Sequence, residues 1–400
     1  MTTRRRGSSF GHIDVGDTQG SSFSTSAGVD DYLRKRFEAV DKPEGAVTRK
    51  AAVKAQAKKE RYVKKANNIS WEIPLAVLVA IYAYYFMFAA NDPTHWLQGC
   101  VRLSYRVLGT SDPVIYGKGK RDLLFVAFHV LWFTFAREFI MQVILKPIAR
   151  SCGFTTRHKI NRFVEQSYSI LYYGISGPVG IYIMYKADYA NLWFFRTTGF
   201  YESFPHRELD AWFKAFYLLQ GAFWAQQALV LVLALEARRK DFKELVFHHV
   251  VTVALIILSY RFHFTYMGLV IYITMDVSDF FLATSKVMNY LDSPLTPPFF
   301  FLFVVVWAYL RHYVNLVVLW SILTEFRTVG PFELNWVTQQ YKCWISQYIT
   351  FALLTALQLV NLYWFVLIIR IAYRYVVHNE QEDVRSEGED DEEEEEEEKE

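Results

Sequence analysis

The chain has 400 residues, of which 52% are hydrophobic and 18% aromatic, and a formal net charge of +2. That aromatic share excludes an ordinary soluble protein, and the small net charge hides an asymmetry between the two ends that says more than the total. Three cysteines, Cys100, Cys152 and Cys343, make no disulfide framework, and no zinc-ligand spacing is present.

Residues 1–69 form a Gly/Ser-rich and then basic region, with about 15 Lys/Arg against about 8 Asp/Glu. No aromatic interleaving or docking motif accompanies the charge, so it reads as a cytoplasmic flank attracted to anionic lipid rather than to nucleic acid. No secretory signal precedes the first apolar stretch, so the first span is expected to direct insertion.

Apolar stretches of about 20 residues, enough to cross a bilayer, then fall near 71–90, 122–144, 166–185, 211–235, 244–261, 265–285, 297–322 and 349–372. They predict an all-α polytopic membrane protein of about eight helices, because lipid satisfies no backbone polar group. Basic residues follow every even span: Lys146 and Arg150, then Arg238, Arg239, Lys240 and Lys243, then Lys286, then Arg370 and Arg374. Both termini should therefore face the cytoplasm, and the sequon Asn68-Ile69-Ser70 should stay unglycosylated. The tail is almost wholly acidic from Glu387, and residues 377–400 should be disordered. Two readings of that tail stand side by side: a solubilising segment, or a regulatory one, since Ser386 suits an acid-directed kinase.

Ionisable groups inside spans are costly and are read as functional by default. The fifth and sixth spans hold His248, His249, Asp276 and Asp279, with Thr252 one turn beyond His248. The turn between these spans centres near His263, about 15 residues from His248 and about 13 and 16 from the two aspartates. At roughly 1.5 Å per residue, all four are expected at a similar depth. Two histidines and two carboxylates suit acyl transfer. An imidazole can attack a thioester or take a proton from an amine, and a carboxylate can fix its tautomer and balance the imidazolium. The bland alternative is a polar contact holding two helices together. A metal site is a third reading, but only His248 and His249 are adjacent among 10 histidines. Arg137 with Glu138, and Arg311 near Trp307, predict buried ion pairing. Cys100 and Cys343 fall on the same expected side, where a disulfide is permitted.

The stretch Asp241-Phe242-Lys243-Glu244-Leu245-Val246-Phe247-His248-His249, continuing to Met275-Asp276-Val277-Ser278-Asp279-Phe280 and Lys286-Val287-Met288-Asn289-Tyr290, resembles the Lag motif of ceramide synthases. Trp307, Arg311 and Thr338-Gln339-Gln340-Tyr341-Lys342-Cys343-Trp344 resemble the fungal branch. Met275 stands where many animal relatives have His, and the loop 91–120 has no room for their homeobox-like segment.

The resemblance covers roughly 70–376. It implies a TLC-type catalytic domain there, a barrel-like ring of helices around an acyl tunnel, and residence in the endoplasmic reticulum. It implies acyl-CoA as donor and a sphingoid base as acceptor, with no metal and no cofactor. Very long acyl chains are implied by the fungal likeness, with residues 323–348 influencing the choice. A small single-span accessory subunit is implied as partner, and a homodimer or a heterodimer with a paralogue is allowed. His248, His249, Asp276 and Asp279 are the expected catalytic set. Arg238, Arg239, Lys243, Lys286, Trp307 and Arg311 are the expected substrate-binding set, although positive-inside topology explains the loop cations equally well. Two mechanisms are open: a transient acyl-imidazole, with His248 the first choice of carrier, or direct attack by the base with histidine as general base. The rival function is a non-catalytic TLC-fold protein of lipid transport or of the translocon.

Overall fold

A computed structural model describes residues 71–109, 113–187, 192–232 and 242–378. The basic N-terminal region, the sequon, Arg238, Arg239, Lys240 and the acidic tail lie outside them. Eight long helices occur among the described residues: α1 Glu72–Ala89, α2 Asp122–Ser151, α3 Arg157–Lys186, α4 Ala211–Val232, α5 Phe242–Arg261, α6 Thr265–Tyr290, α7 Thr296–Thr324 and α8 Trp344–His378. Each coincides with a predicted span. Seven are long and apolar enough to cross a membrane. The eighth, α3, has the length but is more polar: its first turns carry Arg157, Lys159, Arg162, Glu165 and Gln166, and the rest is rich in Tyr, Gly and Ser.

The chain divides into two compact units. One comprises 71–168 and Pro205–Thr265, which holds α1, α2, α4 and α5 and the start of α3. Here α2 packs against α1 and α4, and α4 packs against α5. Leu78, Tyr85, Ala89, Leu97, Cys100 and Phe128 form a core cluster. The segment between α1 and α2 contributes strand β1, Ile115–Tyr116, which pairs antiparallel with β2, Leu209–Asp210, ahead of α4. A buried polar cluster ties this segment down. Lys214 on α4 pairs with Asp122 Oδ1 at 2.7 Å and donates to the carbonyls of Ser104 and Gly117. Asp122 Oδ2 accepts from the Gly119 amide and the Tyr260 hydroxyl. A Cβ at Gly119 would lie 2.2 Å from the Tyr105 ring, so only glycine fits.

The other unit comprises Ser169–Phe204 and the chain from Tyr266 onward, holding the rest of α3 with α6, α7 and α8. Leu282, Phe300, Phe303, Trp307, Val360, Trp364 and Ile368 form its core cluster, where aromatic rings fill the space between α6, α7 and α8. In α7 the stretch Ala308–Val314 winds as π-helix. Such a wide turn inserts an extra residue into the helix and is common at functional positions; here it carries Arg311. Between α7 and α8, Lys342 donates to the carbonyls of Phe326 and Val329 and lies over the Tyr201 ring. Burial pushes its ammonium down to about 8. Cys100 and Cys343 are free thiols, each buried in its own unit.

In this second unit α3 approaches α6 closely through Gly174 and Gly177, three residues apart on one face. A Cβ at either would lie 3.3 Å from Phe280 or Val277, tighter than an ordinary contact. Small residues at such a crossing let two membrane helices approach. Gly177→Val should therefore overpack the crossing at a cost of about 1–3 kcal/mol. A lowered apparent Tm of the purified protein, with Gly177→Ala in between, is the expected result.

Candidate functional site

α5 places His248 and His249 on adjacent positions of a buried stretch, and both are only 4% exposed. The helix geometry fixes the tautomer of His249. Its Nδ1 lies 2.9 Å from the carbonyl oxygen of Leu245, one turn earlier. A carbonyl only accepts, so Nδ1 carries the proton and Nε2 keeps its lone pair. His248 Nε2 lies 3.5 Å from the Thr252 hydroxyl, one turn on. The two imidazoles stand nearly perpendicular, with centroids 5.7 Å apart. Trp224 of α4 packs edge-on against both, 6.1 Å from each. The sequence-predicted pairing of the histidine ring with a carboxylate is thus replaced at His249 Nδ1 by a backbone carbonyl.

The aspartates belong to the other unit, on α6, and are 0% and 1% exposed for Asp276 and Asp279. Here the sequence reading of Arg311 is met on two counts: it is buried, and it is ion-paired. Its guanidinium pairs with Asp279 Oδ1. Nε donates to the Ser278 hydroxyl at 2.6 Å, and Nη1 donates to the Asn361 side-chain oxygen on α8 at 3.1 Å. The cation also lies 4.1 Å from the ring centroid of Trp307. One guanidinium therefore ties α6, α7 and α8 together. Ser278 and Asn361 were not singled out as partners of Arg311 in the sequence. An Asn in the apolar run Leu359–Trp364 is the kind of signal that exposes such a residue.

The remaining expected residues are placed separately. Lys243 is exposed at the start of α5, as a cation at a membrane surface should be. Lys286 lies on α6 ten residues beyond Asp276 and is buried. Arg238 and Arg239 are outside the described residues. Arg137 on α2 pairs with Glu138 at 3.0 Å, as expected for charges inside a span. Among the described residues no three His, Cys, Asp or Glu side chains group as metal ligands would.

A polytopic all-helical membrane protein with a buried His-His pair and a buried carboxylate–arginine cluster is the class that fold and site define. The family comparisons agree. The TLC-domain profile matches residues 162–370, and the chain belongs to that family. It is 49% identical over 392 residues to the ceramide synthase LAG1 of Saccharomyces cerevisiae, covering 97% of this chain and 92% of that protein. It is 47% identical over 328 residues to the sphingosine N-acyltransferase lac1 of Schizosaccharomyces pombe, covering 82% and 83%. Ceramide synthase 4 of Mus musculus is 28% identical over 268 residues, covering 62% and 63%.

The ion pair at the centre of α6, α7 and α8 makes a direct stability prediction. Arg311→Leu leaves a buried carboxylate uncompensated and should cost about 3–5 kcal/mol. Arg311→Leu with Asp279→Asn should recover part of that loss, because no unpaired charge remains. Apparent Tm values of the two purified variants check the order.

Proposed function

We infer that the protein is a ceramide synthase, joining a fatty acyl group to the amine of a sphingoid base. The identity with fungal ceramide synthases over nearly the whole chain supports the activity. The structural observation that carries the chemistry is the buried histidine pair, with the tautomer of His249 set by Leu245. The rival, a non-catalytic TLC-fold protein, is disfavoured by the same comparisons, whose fungal relatives are named as ceramide synthase and sphingosine N-acyltransferase.

In the mechanism proposed, acyl-CoA is the donor and enters as a substrate, with no cofactor and no metal. His248 attacks the thioester carbon through one ring nitrogen, the C–S bond breaks, and the proton on its other ring nitrogen passes to the departing sulfur, so CoA leaves as thiol. The sphingoid amine then attacks the acyl-imidazole. The new C–N bond forms, the bond to the imidazole breaks, and the amine proton passes through His249 Nε2 to the departing imidazole, which leaves both histidines neutral. An acyl-imidazole keeps thioester-like reactivity, so dividing the reaction into two steps costs little driving force. Asp276 and Asp279 complete the proposed catalytic set. Lys243, Lys286, Arg238 and Arg239 are the cations proposed for the CoA phosphates.

The setting proposed is the endoplasmic reticulum membrane with both termini cytoplasmic. A small single-span accessory subunit, and a dimer with itself or a paralogue, complete the expected partners. The fungal likeness favours very long acyl chains.

The test is purified protein with sphinganine and acyl-CoA, following free CoA. His248→Ala and His249→Ala should each lower turnover by about a hundredfold or more, with the gel-filtration profile of the wild type retained. Strong chelators should leave wild-type activity unchanged. Turnover near the wild-type level in both variants would overturn the histidine assignment, and chelator loss restored by a divalent ion would overturn the metal-free mechanism.

A further inference from the structure

The Arg311 cluster holds more hydrogen-bonding capacity than it uses. Asp279 is 1% exposed, and its Oδ1 is occupied by Arg311 while Oδ2 has no hydrogen-bond partner. Asn361 is 0% exposed; its side-chain oxygen accepts from Arg311, while both N–H donors on Nδ2 lack a partner. One turn beyond Arg311 on α7, Asn315 donates from Nδ2 to the Arg311 carbonyl, and its Oδ1 is likewise without a partner. Each such group costs free energy when left unmade inside apolar surroundings. A helix clamp alone does not explain the pattern. The clamp uses only the Asn361 oxygen, through which Arg311 reaches α8, and leaves the amide donors over.

The two open groups are complementary, and their side chains share one cation. Asp279 and Asn361 each bond a terminal nitrogen of the same guanidinium, Nη2 and Nη1. Arg311 therefore holds both a carboxylate with one oxygen unmet and an amide with its donors unmet. The first asks for a cation or a hydrogen-bond donor, and the second for an oxygen acceptor. A 2-amino alcohol presents both on adjacent carbons, an ammonium and a hydroxyl.

We propose that this cluster receives the polar head of the sphingoid base, with Asp279 Oδ2 accepting from the ammonium and the Asn361 amide donating to a neighbouring hydroxyl. Arg311 is then a positioning residue. It holds one oxygen of Asp279 and the oxygen of Asn361, and so turns the other oxygen and the amide donors toward the ligand. Asn361 discriminates a hydroxylated base from a plain long-chain amine, because an unmet buried amide penalises the analogue that lacks the hydroxyl. The proposal rests on the ceramide synthase reading for the identity of its ligand.

The experiment measures binding, which separates it from the activity. Tritiated sphinganine is bound at equilibrium to the purified full-length protein without acyl-CoA, and unlabelled sphinganine or octadecylamine competes. Octadecylamine is an amine of similar chain length with no hydroxyl. The wild type is expected to prefer sphinganine by about tenfold or more, and Asn361→Leu to reduce that preference to about unity. KM for acyl-CoA in the same preparations should stay within about twofold. A wild type that binds the two amines equally overturns the proposal. So does an Asn361→Leu variant that weakens both equally, which is the signature of a helix clamp. If Asn361→Leu is not monodisperse, Asn361→Ser is judged by the same ratio. Absence of ceramide formation by a wild type that shows the binding preference would count against the activity reading and leave the binding site standing.

Discussion

Everything polar in these spans answers to one constraint: lipid offers no hydrogen-bond partner, so each buried charge must be met inside the protein. Arg311 shows the consequence most fully. Its guanidinium is wholly buried and meets Asp279, Ser278 and Asn361, with Trp307 beneath it. Helices α6, α7 and α8 are held by that single cation as well as by the aromatic core around Phe300, Phe303 and Trp364. The other unit solves the same problem with lysine. Lys214 meets Asp122 and two carbonyls, and the short segment before α2 is folded around it.

The same constraint shapes the chemistry. A charged imidazole is expensive in this setting, which favours a neutral histidine with one defined lone pair. The Leu245 carbonyl defines it at His249 without a second charge. A carboxylate is then not needed to orient that ring. Asp279 is committed to Arg311 through one oxygen and has the other to offer.

Much of this was legible in the sequence. Hydrophobic runs of span length marked all eight helices, because in a membrane the length of an apolar run and the formation of a helix are the same requirement. The turn at His263 was placed correctly; its positive φ of 68° ends α5 and lets α6 begin at Thr265. Buried ion pairing of Arg137 and of Arg311 followed from the cost of a lone charge. What did not follow was partner choice. Asp279 meets an arginine 32 positions away rather than an imidazole, and that arginine lies in a π-helical turn of α7, which no periodicity reveals. The donation from His249 to its own helix was also hidden. A carbonyl is present at every position, and only geometry selects one. The polar start of α3 lowered its hydropathy, yet Gly174 and Gly177 give it a close seat against α6.

The central claim is that a buried histidine, and not a serine, cysteine or metal-bound water, carries the acyl group. The most direct measurement is the intact mass of the purified protein after incubation with acyl-CoA alone, together with the amount of CoA released. The account predicts a single added acyl mass, stoichiometric CoA, loss of both in His248→Ala, and discharge of the adduct when sphinganine is added. A preparation that makes ceramide once base is supplied, yet shows neither added mass nor CoA release without it, would contradict the account and establish direct transfer.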